Sequence, residues 1–228
     1  MNKILSIIFL CICSSFANAA FTLDSTRYIY DEGQQSVSVT INNDSGHKYG
    51  GQVWIDNINK NDEQVFFSPS PMVFKLNPKQ SQIVRIVNIN DDLPKDRESL
   101  FWLNVQEIPP AAKGEGSSLS LAINSRVKLI YRPAVLKNGR DDAENSIKII
   151  NSGADTYLQN TTPYYFAISE VKVNGKLIAL DGDVKDKLGK FAPFSKVSLG
   201  KINSSDKISI TAFNDYGVAT NYNLTRSK

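Results

Sequence analysis

Apolar residues recur at every second position through most of this chain, and that period decides the fold class before any motif is considered. Val37, Val39 and Ile41 alternate with Ser36, Ser38 and Thr40, and Phe101, Leu103 and Val105 alternate with Trp102, Asn104 and Gln106. Ile147 and Ile149, then Tyr164, Phe166 and Ile168, then Ile208 and Ile210 repeat the pattern. Successive side chains of an extended strand point to opposite faces, so this period marks strands with one buried and one wetted face. Turn-forming clusters interrupt it at short intervals: Asn42–Gly46, Ser68–Pro71, Asn77-Pro78, Asn90–Pro94 and Pro109-Pro110. Asn174-Gly175, between residues 164–173 and 176–180, is the sharpest hairpin signal, because a type I′ turn needs positive φ at both central residues. No convincing amphipathic helix is evident beyond a turn near Leu93–Ser99. Many short strands with regular turn signals predict an all-β chain built of antiparallel sandwiches.

One break divides the pattern. Lys137–Asp142 is polar and turn-rich, and it follows a long alternating run that ends at Tyr131-Arg132-Pro133. Pro133 has no N–H to donate and stops sheet pairing. The predicted domains are residues 20–138, with about seven strands, and residues 139–228, with a comparable smaller set. Each is near the roughly 100 residues that can bury a core alone. No internal sequence repeat relates them.

Residues 1–19 read as a secretory signal peptide cut after Ala19. Lys3 gives the basic start, Ile4–Ile12 the apolar run and Ala17-Asn18-Ala19 the small-x-small cleavage pattern. The run is too short to span a bilayer. Cys11 and Cys13, the only two cysteines, lie inside this segment, so the exported remainder contains no disulfide. Large residues, Leu10 and Ile12, precede them where lipid attachment needs a small one.

The chemistry of an enzyme is hard to assemble here. The single histidine, His47, sits in the turn Ser45-Gly46-His47-Lys48, and with no cysteine left after export neither a His/Cys metal site nor a Ser-His-Asp triad can form. Asp91-Asp92 and Asp141-Asp142 have the neighbours of solvated turns. Gly114-Glu115-Gly116 and Leu199-Gly200-Lys201 lack the spacing of a phosphate loop, and Asn160-Thr161-Thr162 and Asn203-Ser204-Ser205 are glycosylation patterns of the kind that arise by chance. The formal charge of +3, reduced by one with the loss of Lys3, is interspersed and draws no stripe for nucleic acid or membrane. The reading is a non-enzymatic binding protein with no cofactor and no metal.

The informative stretch is Leu119–Tyr131. Leu119, Leu121, Ile123, Val127, Leu129 and Tyr131 share one parity, interrupted by Ser125. Thirteen extended residues reach about 43 Å at roughly 3.3 Å each, more than twice a common strand. Val127–Tyr131 reads as core. Leu119, Leu121 and Ile123 either fold back at Ser125 and bury themselves or continue straight, beyond the core, as an apolar edge awaiting a partner strand. The polar lead-in Lys113–Ser118 precedes them.

Asp96–Pro110 (DRESLFWLNVQEIPP), the strand ending Lys128–Pro133, Thr162-Pro163-Tyr164-Tyr165 and Asn214-Asp215-Tyr216-Gly217 together resemble the PapD-like periplasmic pilus chaperones. The resemblance covers essentially the whole chain after the signal segment. It implies two immunoglobulin-like β-sandwiches set at an angle with a cleft between them, located in the periplasm. It implies pilus-subunit clients that lack a final strand, and an outer-membrane usher that receives them. Position by position, it implies that Arg27 and Lys128 anchor the client's C-terminal carboxylate. Leu119, Leu121 and Ile123 would fill the client's groove, and Glu98, Arg132 and Asp215 would bridge the domains. The short Pro109–Ser118 stretch is similar to the short-loop branch of that family, and the C-terminal cysteine pair of several relatives is missing. Free molecules could also pair through the same edge. The alternative is a secreted structural adhesin or pilus subunit, disfavoured because such subunits more often carry a disulfide and a longer N-terminal extension than Ala20–Asp24.

Overall fold

A computed structural model describes residues 20–58, 63–111 and 120–226, so the signal segment 1–19 lies outside it. The chain forms two β-sandwiches. In the first, one sheet has the order β1 (Phe21–Leu23), β3 (Val37–Asn43), β7 (Ser81–Asn88), β5 (Phe67–Ser70). The facing sheet has the order β2 (Arg27–Asp31), β9 (Asn124–Arg132), β8 (Ser99–Ile108), β4 (Tyr49–Asn57), β6 (Val73–Leu76). The period-two residues fill the space between them: Val39, Ile41, Val84, Ile86, Phe101, Leu103, Val105 and Leu129 are all buried. Tyr30, Phe67, Phe101 and Tyr131 meet as a cluster in which Tyr30 and Tyr131 stack and the other ring pairs are tilted or edge-on.

In the second sandwich β14 (Lys196–Gly200), β11 (Asp155–Gln159), β10 (Lys148–Ser152) and β17 (Thr225–Arg226) form one sheet. The other is β13 (Lys176–Leu177), β12 (Ala167–Val173), β15 (Ile208–Phe213) and β16 (Ala219–Asn223). Ile147, Ile149, Leu158, Phe166, Val171, Phe191 and Ile210 fill its separate core. The β12–β13 hairpin turns at Asn174 (φ 50°) and Gly175 (φ 80°), the conformation that dipeptide predicts.

Four expectations need correction. Nine strands, not about seven, precede Pro133 among the described residues. Ser68–Pro71 is not mere punctuation: β5 runs through Pro69, tolerated because β5 is the edge of its sheet. The turn expected at Leu93–Ser99 forms no helix. A helix does form at Gly182–Gly189 (α1), where Val184 and Leu188, four residues apart, share one face and Leu188 is fully buried. Eight residues with two apolar positions give too weak a period to be seen in the sequence.

The glycosylation-like Asn160 is a structural hub. Wholly buried, its Nδ2 donates to the carbonyls of Tyr164 and Ala192, while its Oδ1 accepts from the N–H and hydroxyl of Thr162. Asn43 does the same work in the first sandwich, with Leu76 and His47 carbonyls and the Ser45 N–H and hydroxyl as partners. Asn160→Ala leaves several buried backbone groups unpaired, so thermal denaturation of that variant should show a loss of about 2 kcal/mol or more.

Candidate functional site

Strands β2 and β9 run parallel, and their register sets Arg27 opposite Lys128. Both side chains lie against the second domain. Arg27 Nη1 donates to the carbonyl of Phe213 at 3.1 Å, with the guanidinium 5.7 Å from the Phe213 ring centre, and its Nε is buried without a hydrogen-bond partner among the described residues. Lys128 Nζ donates to the carbonyl of Gly189, at the C-terminal end of α1, where the helix dipole is negative. Among the described residues neither cation makes an ion pair with a carboxylate. Burial, and then the charges of Arg27 and Lys190, lower the Lys128 pKa to about 8. Burial also lowers that of Arg27, with Asp215 opposing the shift.

The expected thirteen-residue strand is shorter. β9 starts at Asn124, and its pairing with β8 carries back only to Ile123, whose carbonyl accepts the Glu107 N–H. The ladder stops there because β8 ends at Ile108 and Pro109-Pro110 bring no N–H. The chain does not fold back at Ser125: Leu121 is 69% exposed and Ile123 46%. Leu119 lies outside the described residues, as does the lead-in Lys113–Ser118. Nor is β9 an edge along its whole length. β2 covers it from Lys128 to Arg132, so only the part before Lys128 has an unpaired side. That open side ends at the Arg27–Lys128 pair.

Glu98, Arg132 and Asp215 are brought together between the sandwiches. Arg132 Nε lies 2.7 Å from Glu98 Oε1 and Arg132 Nη1 2.8 Å from Asp215 Oδ2. The other Glu98 oxygen accepts the Tyr165 N–H at 2.7 Å, and the Glu98 N–H donates to the Pro163 carbonyl, so one residue of β8's leading turn ties both domains. Burial raises the Glu98 pKa against the pull of Arg132 and of the Tyr165 N–H. Burial alone would lower that of Arg132, but Asp215 and Glu98 override it and hold the guanidinium firmly charged. Asp215 is presented by a tight turn in which Asn214 Oδ1 accepts the N–H groups of Tyr216 and Val218.

Sequence reasoning missed two members of this network. Arg140, placed in the polar break, is buried and grips Glu144 through two hydrogen bonds of 2.9 and 2.7 Å. Its Nε is 3.5 Å from Asp215, and the rings of Tyr164 and Phe166 lie 5.9 and 5.1 Å from its guanidinium. The i,i+4 spacing of opposite charges was the available signal. Among the described residues no group of three or more His, Cys, Asp or Glu is arranged to hold a metal, and His47, Asp91, Asp92, Asp141 and Asp142 are exposed.

Two family models match in order: "Pili and flagellar-assembly chaperone, PapD N-terminal domain" over residues 20–137, and "Pili assembly chaperone PapD, C-terminal domain" over residues 142–224. Chaperone protein FanE of Escherichia coli is 76% identical over 228 residues, covering 100% of both chains. Chaperone protein FaeE of the same species is 40% identical, over 95% of this chain and 82% of that one. Among solved structures, the E. coli chaperone DraB superposes with a TM-score of 0.75 at 28% identity, covering 91% of this chain and 96% of that one. The Salmonella enterica SafA pilin in complex with the SafB chaperone gives 0.77 at 27%, covering 92% and 99%.

Proposed function

The chain belongs to the PapD family of pili-assembly chaperones, and from that premise we propose that it captures pilus subunits in the periplasm by lending them the open side of β9, then delivers them to an outer-membrane usher. The observation that carries the proposal is where the open side stops. A client strand laid beside residues 121–127 occupies the line that β2 continues, and β2 begins at Arg27. If it runs parallel to β9, its C-terminus arrives at Arg27 and Lys128. Strand pairing alone allows slips of two residues that keep every side chain on its face. A carboxylate held by a planar guanidinium and a mobile ammonium removes that freedom. Direction and register are then fixed together.

Within this reading Leu121 and Ile123, with Leu119 before them, enter the client's apolar groove. Glu98, Arg132 and Asp215 set the angle between residues 20–138 and 139–228, which holds the Arg27–Lys128 pair against the second domain. Holding and handing over a folding intermediate in this way needs no nucleotide. The test is recovery of the tagged protein from the periplasm with mass spectrometry of what accompanies it. Fimbrial subunits should co-purify with wild type. Leu121→Ala should weaken capture about thirtyfold, for roughly 2 kcal/mol of lost apolar burial, with an unchanged melting temperature because Leu121 touches solvent in the free protein. A Leu121→Ala chain that melts early, or captures subunits as wild type does, overturns the assignment of this edge.

A further inference from the structure

Glu107, on β8, is a buried carboxylate that the client-binding scheme does not use. It is 4% exposed, and among the described residues no cationic side chain makes an ion pair with it. Its Oε2 instead accepts the backbone N–H groups of Ala20 and Phe21, at 3.1 and 3.2 Å. Those two residues are themselves buried in the first core, at 3% and 4% exposure, and the Ala20 carbonyl accepts the Asp44 N–H. Room for Phe21 comes from Gly51, the register partner of Glu107. A Cβ at Gly51 would meet Phe74 at 2.3 Å and Phe21 at 3.0 Å. Two neutral amides are poor compensation for an ionised carboxylate removed from water. The residue whose N–H it receives is also the one that follows the small-x-small pattern Ala17-Asn18-Ala19.

We propose that Glu107 is the receptor for the α-ammonium group created at Ala20 by signal-peptide cleavage. Hydrolysis of the Ala19–Ala20 bond consumes one water, leaving a carboxylate on Ala19 and an ammonium on Ala20. That ammonium arises at the hydrogen-bonding distance already occupied by the Ala20 nitrogen, converting an amide contact into a charge-assisted one. Glu107 also borders the client edge, where its N–H holds the carbonyl of Ile123. The proposal rests on the reading of residues 1–19 as a cleaved signal, and the experiment separates the two.

The protein is purified from the periplasm, its N-terminus is sequenced, and its α-amine is reductively methylated at pH 7 beside the free peptide Ala-Phe-Thr-Leu. The expected result is a chain beginning at Ala20 whose α-amine reacts at least tenfold more slowly than the peptide's, and a Glu107→Gln chain that regains most of the peptide's rate. A chain beginning elsewhere overturns the cleavage reading and the proposal with it. A chain beginning at Ala20 with an amine of ordinary reactivity overturns the ion pair alone, as does protection that persists unchanged in Glu107→Gln. If that variant does not accumulate, titration of the wild-type amine decides. An ion pair moves its loss of the proton above the ordinary α-amino range of about 7.7–8.0, whereas burial without a partner moves it below and overturns the proposal.

Discussion

Replacing Lys128 with alanine should reduce subunit capture about 100-fold or more while leaving the free chaperone at least as stable as wild type. Truncating one partner of a desolvated, hydrogen-bonded charge pair costs roughly 2–5 kcal/mol of binding. In the free protein the balance runs the other way. Lys128 faces Arg27 across the β2–β9 register, and burial has already lowered its pKa to about 8 from an ordinary 10.5. Between those values the folded chain binds fewer protons than the unfolded one, so this residue's contribution to stability rises with pH across that window. Below about pH 8 the folded state carries the full cost of keeping it charged. The alanine variant is relieved of that cost and loses in exchange only the bond to the Gly189 carbonyl. If the client's carboxylate needs the ammonium, capture by wild type should weaken as pH climbs through 8, and capture by the variant should not respond there. Melting curves and pull-downs at pH 7 and 9 check both arms. An alanine variant that captures normally, or unfolds, removes Lys128 from the site.

Arg132→Ala should be the most destabilising single change in the domain interface, at about 3–5 kcal/mol, since it strands a carboxylate whose side chain is fully buried. Burial already raises the Glu98 pKa, and Arg132 supplies the largest opposing pull. With the arginine gone the carboxyl rises further. A raised carboxyl contributes most stability below its unfolded value, about 4.3, and loses it as pH rises through the folded value. Acidifying the variant from pH 7 toward 5 should therefore recover part of its stability. Adding Glu98→Gln to Arg132→Ala should recover stability at pH 7, because the amide keeps an acceptor for the Tyr165 N–H and abandons the charge. Denaturant unfolding of the two variants measures this, and small-angle scattering reports the angle between the domains. A double variant no more stable than Arg132→Ala would mean that the network's value lies elsewhere than in neutralising Glu98.

The sequence by itself determined whatever depends on a local period or a local turn. Alternation at Val37–Ile41 and Phe101–Val105 placed core residues correctly because strand geometry sends alternate side chains inward wherever the strand lies. Asn174-Gly175 named its own turn for the same reason, since positive φ is a property of those two residues. Parity along residues 119–131 set Leu121 and Ile123 in step with Leu129 and Tyr131, but could not say whether they are covered. That was decided by β8 ending at two prolines and by β2 beginning at Arg27, neither of which is a property of β9. Charge was the least legible quantity. Glu98, Arg132, Arg140 and Glu144 have the side chains of a wet surface, and only the tertiary fold buries them, with Arg140 and Glu144 paired inside the second domain and Asp215 of that domain reaching Arg132 of the first. The cost or value of a charge depends on the water removed from around it, and that is set by residues distant in the chain.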